Sequence, residues 1–206
     1  SLFTRLLFAI KYQEQRIVLS NLINSGSKIL YDRNPRDRIA KVAPWLTLDG
    51  DPYPAVVDGK IVWILDGYTT SNGYPNSRKV NLADTADALT SRANAVASLE
   101  DKSVNYIRNS VKATVDAYDG TVTLYQWDTK DPVLATWSKS FPGTVTPKSA
   151  MSKSLLEHIR YPEDLFGVQR DVLSTYHVKT ADAFYGGQDF WRVPTDPSSM
   201  GANAGI

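Results

Sequence analysis

Two histidines are the side chains in this sequence best suited to acid–base or metal chemistry. His158 and His177 flank a predicted helix that begins at Pro162, and Asp164 lies in the first turn of that helix. Imidazole nitrogens and carboxylates hold metal ions, and imidazole also transfers protons near neutral pH. The simpler interpretation is that each histidine is a hydrogen-bonded packing residue. We therefore treat His158, His177 and Asp164 as candidates for a catalytic site and assign no metal ion and no cofactor.

A polar and aromatic segment that directly follows a strongly apolar run resembles a ligand-binding loop. It contains Asp66, Tyr68 and Tyr74 among Gly, Ser, Thr and Asn residues. Loops supported by a rigid strand commonly carry binding residues. Aromatic residues also favour strands for reasons of packing alone, so the same pattern fits a core. We expect Asp66, Tyr68 and Tyr74 to be candidates for ligand contacts.

Arginines offer a second set of binding candidates. Arg108, Arg160 and Arg170 are distant from one another in the sequence. A guanidinium group can hold an anionic ligand through paired hydrogen bonds, or equally well pair with a neighbouring acid. The sequence leaves both options open. We retain Arg108 and Arg160 as candidates for ligand binding.

Composition excludes several classes of function. The 206 residues contain 23 Lys and Arg against 22 Asp and Glu, which argues against a dedicated nucleic-acid binder. No cysteine is present, so thiol catalysis and zinc–thiolate sites are excluded. The sequence also lacks a phosphate-binding glycine loop, a Gly-x-Ser-x-Gly elbow and a His-Glu-x-x-His motif.

The elements that must position these residues are strands and helices in one chain. Asp58-Gly59 and Asp119-Gly120 each separate two strand-like runs, which is a strong signal for a β-hairpin. We predict an α+β fold, in which an antiparallel sheet built from two Asp-Gly hairpins carries helices on one face and at one end. Helices are predicted at 1–30, from Pro35, at 132–137, at 154–160 and from Pro162.

The last of these helices has the clearest apolar stripe. Its acids lie in the first turn, where they complement the helix dipole. The residues expected to be buried at helical spacing are Leu165, Val168, Val172, Leu173 and Tyr176.

We predict a single domain over 1–206. Residues 69–103 are expected to form a long loop or a variable insertion, and 184–206 an extended tail. No apolar run approaches the roughly 20 residues that a transmembrane helix needs. Because the chain begins with Ser1 rather than Met, we expect it to be a piece of a longer protein.

Several runs resemble a known family. They are Asp51-Pro52-Tyr53-Pro54, Trp63-Ile64-Leu65-Asp66-Gly67-Tyr68-Thr69-Thr70, Asn105-Tyr106-Ile107-Arg108-Asn109-Ser110-Val111-Lys112 and His158-Ile159-Arg160-Tyr161-Pro162-Glu163-Asp164-Leu165-Phe166. Together they resemble uncharacterised protein family 0182 of the UPF series, over about Ala40 to Asp196. The stretch from Ala83 to Ser98 departs from these blocks and has the composition of a variable insertion.

The resemblance implies a context rather than a reaction. Members resemble large multi-pass membrane proteins of actinobacteria and cyanobacteria, whose long soluble region lies outside the cytoplasm. We therefore expect an extracytoplasmic, non-catalytic domain that binds an envelope glycan or lipid, or contacts the rest of its parent protein. The alternative is an envelope-active hydrolase or metal-dependent enzyme that uses His158 and His177.

Overall fold

The chain forms two compact units where the sequence predicts one domain. The computed structural model describes residues 2–24, 26–27, 29, 31–82 and 103–192. One unit is Ser1–Arg33 and the other is Asn34–Ile206. The expected insertion at 83–98 lies outside the described residues, as does the final part of the expected tail.

The smaller unit contains two helices rather than the single predicted helix over 1–30. Helix α1 spans Leu2–Tyr12 and helix α2 spans Arg16–Leu19. Gln13, in the left-handed region with a φ of 52°, interrupts the helix between them. The Arg5 guanidinium donates to the Ile17 carbonyl oxygen at 3.0 Å, so it satisfies a backbone acceptor in α2.

A six-stranded, mainly antiparallel sheet forms the centre of the larger unit. The central strand pair is β3 and β6; β1 and β2 both pair with β3, β7 pairs with β6, and β8 joins β7 in parallel. Strands β4 and β5 form a separate two-stranded sheet. The strands are β1 (Thr47–Leu48), β2 (Tyr53–Val57), β3 (Lys60–Ser71), β4 (Val80–Asn81), β5 (Ser103–Val104), β6 (Tyr106–Asp116), β7 (Val122–Gln126) and β8 (Val145–Thr146).

Both Asp-Gly pairs lie in connections between antiparallel strands. Asp58 and Gly59 have φ angles of 51° and 78°, which gives the tight two-residue turn between β2 and β3. The β6–β7 connection is longer, and there Gly120 has a φ of 75°. Strand β3 continues to Ser71, so the first residues of the predicted loop at 69–103 belong to the sheet.

Five α-helices are described in the larger unit. They are α3 (Pro35–Val42), α4 (Pro132–Ser140), α5 (Lys153–Glu157), α6 (Glu163–Tyr176) and α7 (Ala181–Gly186). The predicted starts at Asn34-Pro35 and Asp131-Pro132 are confirmed, because both side chains cap their helices. Helix α7 includes 184–186, which the sequence assigned to an extended tail. No helix in the described part of the chain is long and apolar enough to cross a membrane.

The α+β class is confirmed, but the expectation of helices on one face is wrong. Neighbouring residues of β3 point to opposite faces of the sheet. Leu65 packs in a cluster with Ile39 of α3 and Leu134 of α4. Ile64 packs in a different cluster with Leu155 of α5. Helices therefore cover both faces of the sheet, which is why the central strands are buried on both sides.

The predicted apolar stripe of α6 is only half buried. Leu165 and Val168 are buried, as expected. Val172, Leu173 and Tyr176 are 39%, 54% and 48% exposed. The predicted stripe is therefore buried in the N-terminal half of this helix and largely exposed in its C-terminal half.

A single carboxylate ties the sheet to α4. Asp131 accepts hydrogen bonds from the hydroxyl groups of Thr69, Ser110 and Tyr106, each at 2.6 Å, and from two backbone amides of the first turn of α4. Burial alone would raise the pKa of Asp131, but these hydrogen bonds outweigh it and lower the pKa below its usual value. The helix cap and the contact between β3 and β6 thus depend on the same side chain.

Candidate functional site

A buried ion pair lies at the centre of the sheet. Asp66 of β3 and Lys112 of β6 are direct cross-strand neighbours, and their side chains are 5% and 1% exposed. The Lys112 ammonium contacts Asp66 Oδ1, and Asn109 Nδ2 donates to the same oxygen at 2.6 Å. Burial raises the pKa of Asp66, and the attraction of Lys112 opposes that rise.

A β-bulge brings these three side chains together. The register of β3 and β6 shifts between Gly67 and Tyr68, and Ser110 has no partner on β3. In a regular strand Asn109 and Lys112 would point to opposite faces, because the side-chain period is two. The extra residue turns Asn109 to the face of Lys112 and sends the Ser110 hydroxyl to the opposite face, towards Asp131.

The same ion pair holds the chain between α5 and α6. Lys112 Nζ donates to the carbonyl oxygen of Arg160 at 2.9 Å. The Tyr53 hydroxyl accepts from the Arg160 amide at 3.2 Å and donates to the His158 carbonyl oxygen at 3.2 Å. The Arg160 guanidinium also lies 4.5 Å from the centre of the Tyr53 ring. The backbone at Arg160 is therefore fixed to two strands while its charged group remains exposed.

Above the ion pair lies a cleft of about 720 Å³ between β6, the segment after β7, and the chain from α5 to α6. We call it the basic cleft. Its charged and amide side chains are Arg108, Asn109, Lys112, Asp128, Lys130, Arg160 and Gln169. Its apolar wall consists of Ile107, Leu156, Ile159, Pro162 and Leu165.

Cations outnumber carboxylates in the basic cleft. Arg108 is paired with Asp128 at 2.7 Å, and Lys112 with the buried Asp66. Lys130 and Arg160 are exposed, and neither has a carboxylate within 4.0 Å in the part of the chain that the structure describes. The chain as a whole carries a net charge of +1, so this excess is a local property. Such a cleft attracts anions.

The predicted ligand contacts are distributed unevenly over this site. Arg108 and Arg160 line the same cleft, and Asp66 lies beneath it as the partner of Lys112. Tyr68 is completely buried and donates a hydrogen bond to Asp49, so its side chain is part of the core. Tyr74 stacks on the ring of Tyr106, 6.1 Å away, and does not line the basic cleft.

Both histidines lie at the C-terminal caps of helices. The Nδ1 atom of His158 is 2.7 Å from the Ser154 carbonyl oxygen, and that of His177 is 3.0 Å from the Leu173 carbonyl oxygen. These contacts satisfy backbone acceptors at the ends of α5 and α6. The His177 ring also stacks on Trp191 at 3.8 Å. Among the described residues no group of three His, Asp or Glu side chains is placed to hold a metal ion.

Asp164, the third predicted catalytic candidate, contacts the turn between β1 and β2. Its Oδ2 atom accepts a hydrogen bond from the Gly50 amide at 2.8 Å. Burial is the main cause that raises the pKa of Asp164 from 3.8 to about 6, and the nearby charge of Asp49 adds to it. The geometry gives Asp164 a role in joining α6 to the sheet.

Lys112, Lys130 and Asn109 are among the residues of the cleft that sequence reasoning missed. Lys112 alternates with Val111 and Ala113, a pattern that assigns it to a solvated strand face. Lys130 lies in a polar turn, and Asn109 faces the site only because of the bulge. A usable signal would need the register of the two strands, since a lysine directly opposite an aspartate on paired central strands indicates an ion pair.

The fold is of the α+β class, and comparison with known proteins places the chain in a family. The model of the uncharacterised protein family UPF0182 matches residues 1–204. The UPF0182 proteins of Thermobifida fusca, Frankia alni and Streptomyces coelicolor are 60%, 59% and 55% identical to the chain over 97–98% of its length. The chain belongs to the UPF0182 family.

The matched relatives are much longer than this chain. It spans about a fifth of the length of the three proteins named above. No solved structure matches the chain.

Replacing Lys112 by methionine tests the buried ion pair. We expect Lys112→Met to lower the free energy of unfolding by about 3–5 kcal/mol, because it leaves the Asp66 carboxylate buried without its partner. The double variant Lys112→Met/Asp66→Leu should regain most of this loss, since it buries no charge. Urea unfolding followed by tryptophan fluorescence measures both. A double variant as unstable as the single one would contradict the account.

Asp164 should make stability depend on pH. Because its pKa is raised in the folded state, the carboxyl destabilises the fold as it ionises between about pH 4 and pH 6. Asp164→Asn retains an acceptor for the Gly50 amide and removes this titration. The free energy of unfolding of Asp164→Asn, taken relative to that of the unsubstituted chain, should be about 1–2 kcal/mol higher at pH 7 than at pH 4. This range allows for solvent screening.

The measurement is urea unfolding at a series of pH values between pH 4 and pH 7. Glu163→Gln is the matched control, because Glu163 lies next to Asp164 and is exposed. A stability difference between Asp164→Asn and the unsubstituted chain that does not change with pH would show that Asp164 has an ordinary pKa.

Proposed function

We propose that this chain is a ligand-binding domain within a larger membrane protein of the cell envelope, and that its ligand is an anion held in the basic cleft. The observation that carries the proposal is the pair of exposed cations, Lys130 and Arg160, which lack a carboxylate partner among the described residues. Arg108 and Lys112 add positive charge beside them, although each is already paired.

The placement of Arg160 supports a binding role. Its backbone is held by Lys112 and Tyr53, and its guanidinium packs on the Tyr53 ring. A charged group that is positioned before the ligand arrives loses little conformational entropy on binding. A solvated surface arginine would need none of these supports. The fixed backbone therefore favours a site over an incidental surface charge.

The envelope context is proposed from the family. Because the chain spans about a fifth of the length of these relatives, most of each relative lies outside the matched segment. We place the membrane-spanning helices in that remaining part. In this proposal the segment faces the outside of the cytoplasmic membrane. Its partners are the rest of the parent protein and an envelope glycan or lipid with anionic groups, and not nucleic acid.

Labelling of the segment in intact cells by a reagent that cannot cross the membrane tests this placement. The segment should be labelled, and protection from the reagent in intact cells would show a cytoplasmic location and contradict the proposal.

Binding of inorganic phosphate, measured by isothermal titration calorimetry at low ionic strength, tests the proposed site. Arg160→Gln and Lys130→Gln should each weaken binding roughly fivefold to tenfold, because each removes one charge-assisted hydrogen bond. Added sodium chloride should weaken binding further by screening.

Lys139→Gln is the matched control for Lys130→Gln. Both lysines are exposed, but Lys139 lies on α4, outside the basic cleft. Its substitution should leave phosphate binding unchanged. Equal losses in the two variants, or no binding of phosphate to the unsubstituted chain, would overturn the proposal.

A further inference from the structure

We infer that the ligand of the basic cleft is an amphiphile, with a phosphate group on the cationic wall and a hydrocarbon chain on the apolar wall. The inference rests on the proposed function and names the chemistry of the ligand. It follows from the lining of the cleft, which combines cations (Arg108, Lys130 and Arg160, here called the cationic wall) with the side chains of the apolar wall.

The cationic wall suits phosphate. Arg108 and Lys130 come from β6 and the segment after β7, and Arg160 comes from the chain between α5 and α6, so three separate elements contribute cations to the same cleft. A phosphate group offers several acceptor oxygens, and guanidinium groups bind such oxygens in pairs.

The apolar wall needs a different kind of partner. Leu156 is 40% exposed where it lines the cleft, and Ile159 is partly exposed beside it. Neither a free phosphate nor a polar sugar would remove this surface from water. A hydrocarbon chain would, and burial of each methylene group favours binding.

The size of the cleft also exceeds what a simple anion occupies. Its volume is about 720 Å³. Small-molecule sites of roughly 300–1,000 Å³ enclose ligands of many heavy atoms. Phosphate alone would leave most of this space to water, whereas a headgroup with the first part of a chain would fill much more of it.

A chain-length series tests the inference. Inorganic phosphate and monomeric methyl, butyl and octyl phosphate are titrated into the protein by calorimetry, with octyl glucoside as an uncharged comparison. Affinity should rise roughly twofold or more for each methylene group that reaches the apolar wall. Octyl glucoside should bind much more weakly than octyl phosphate, since it lacks the anionic group.

Variants of the two walls should separate the two contributions. Leu156→Gln should reduce the gain in affinity with chain length, measured as the ratio of the affinities for octyl and methyl phosphate. Lys130→Gln should weaken binding of every phosphate by a similar factor. Leu173→Gln is the matched control, because Leu173 is an exposed leucine of α6 that does not line the cleft. It should change neither quantity.

The outcomes distinguish this inference from the proposed function. If inorganic phosphate binds at the cleft and affinity does not rise from methyl to octyl phosphate, the ligand is a soluble phosphate and the amphiphile is excluded. If octyl glucoside binds as well as octyl phosphate, the cleft does not recognise the anionic group and the inference is overturned. If neither inorganic phosphate nor any alkyl phosphate binds, the proposed function itself fails.

Discussion

The buried pair of Asp66 and Lys112 is the constraint on which the rest of the site depends. Two charges withdrawn from water are costly unless hydrogen bonds satisfy them. Asn109 supplies one of these bonds, and the Arg160 carbonyl accepts another. The first requires the bulge at Ser110, and the second requires the chain after α5 to cross above the sheet. One interaction therefore fixes both the irregularity of β6 and the position of Arg160.

Local chemistry made part of the fold predictable. The turn at Asp58-Gly59 and the caps at Asn34 and Asp131 depend on residues within a few positions of one another, so the sequence contains them in full. The covering of both sheet faces depends on contacts between distant segments. The alternation of apolar and polar residues in β6 indicated a solvated face, but Lys112 is buried because Asp66 lies opposite. The pairing of β3 with β6 therefore accounts for the difference between the predicted exposure of Lys112 and its burial, and no local sequence pattern records that pairing.

The candidate site was predictable by residue type and not by geometry. The affinity of guanidinium groups for anions predicts Arg108 and Arg160 as ligand contacts, and both line one cleft. Tyr68 carried the same kind of signal, yet its hydroxyl satisfies the buried Asp49. The two histidines resemble Tyr68 in this respect, because their ring nitrogens contact carbonyl oxygens at the ends of helices. A reactive residue type therefore indicates chemistry only when its polar atoms are not already engaged in structural hydrogen bonds.

The central claim is that a phosphate group binds at the exposed cations of the basic cleft, Lys130 and Arg160. The most direct measurement is an NMR titration of the isotopically labelled chain with inorganic phosphate. It is read at the Asn109 side-chain amide, the Arg160 guanidinium and the indole of Trp127, which also lines the cleft. The account predicts saturable shifts confined to these groups and their neighbours in the cleft. Shifts spread evenly over surface lysines and arginines, or none in the cleft at saturating phosphate, would contradict it.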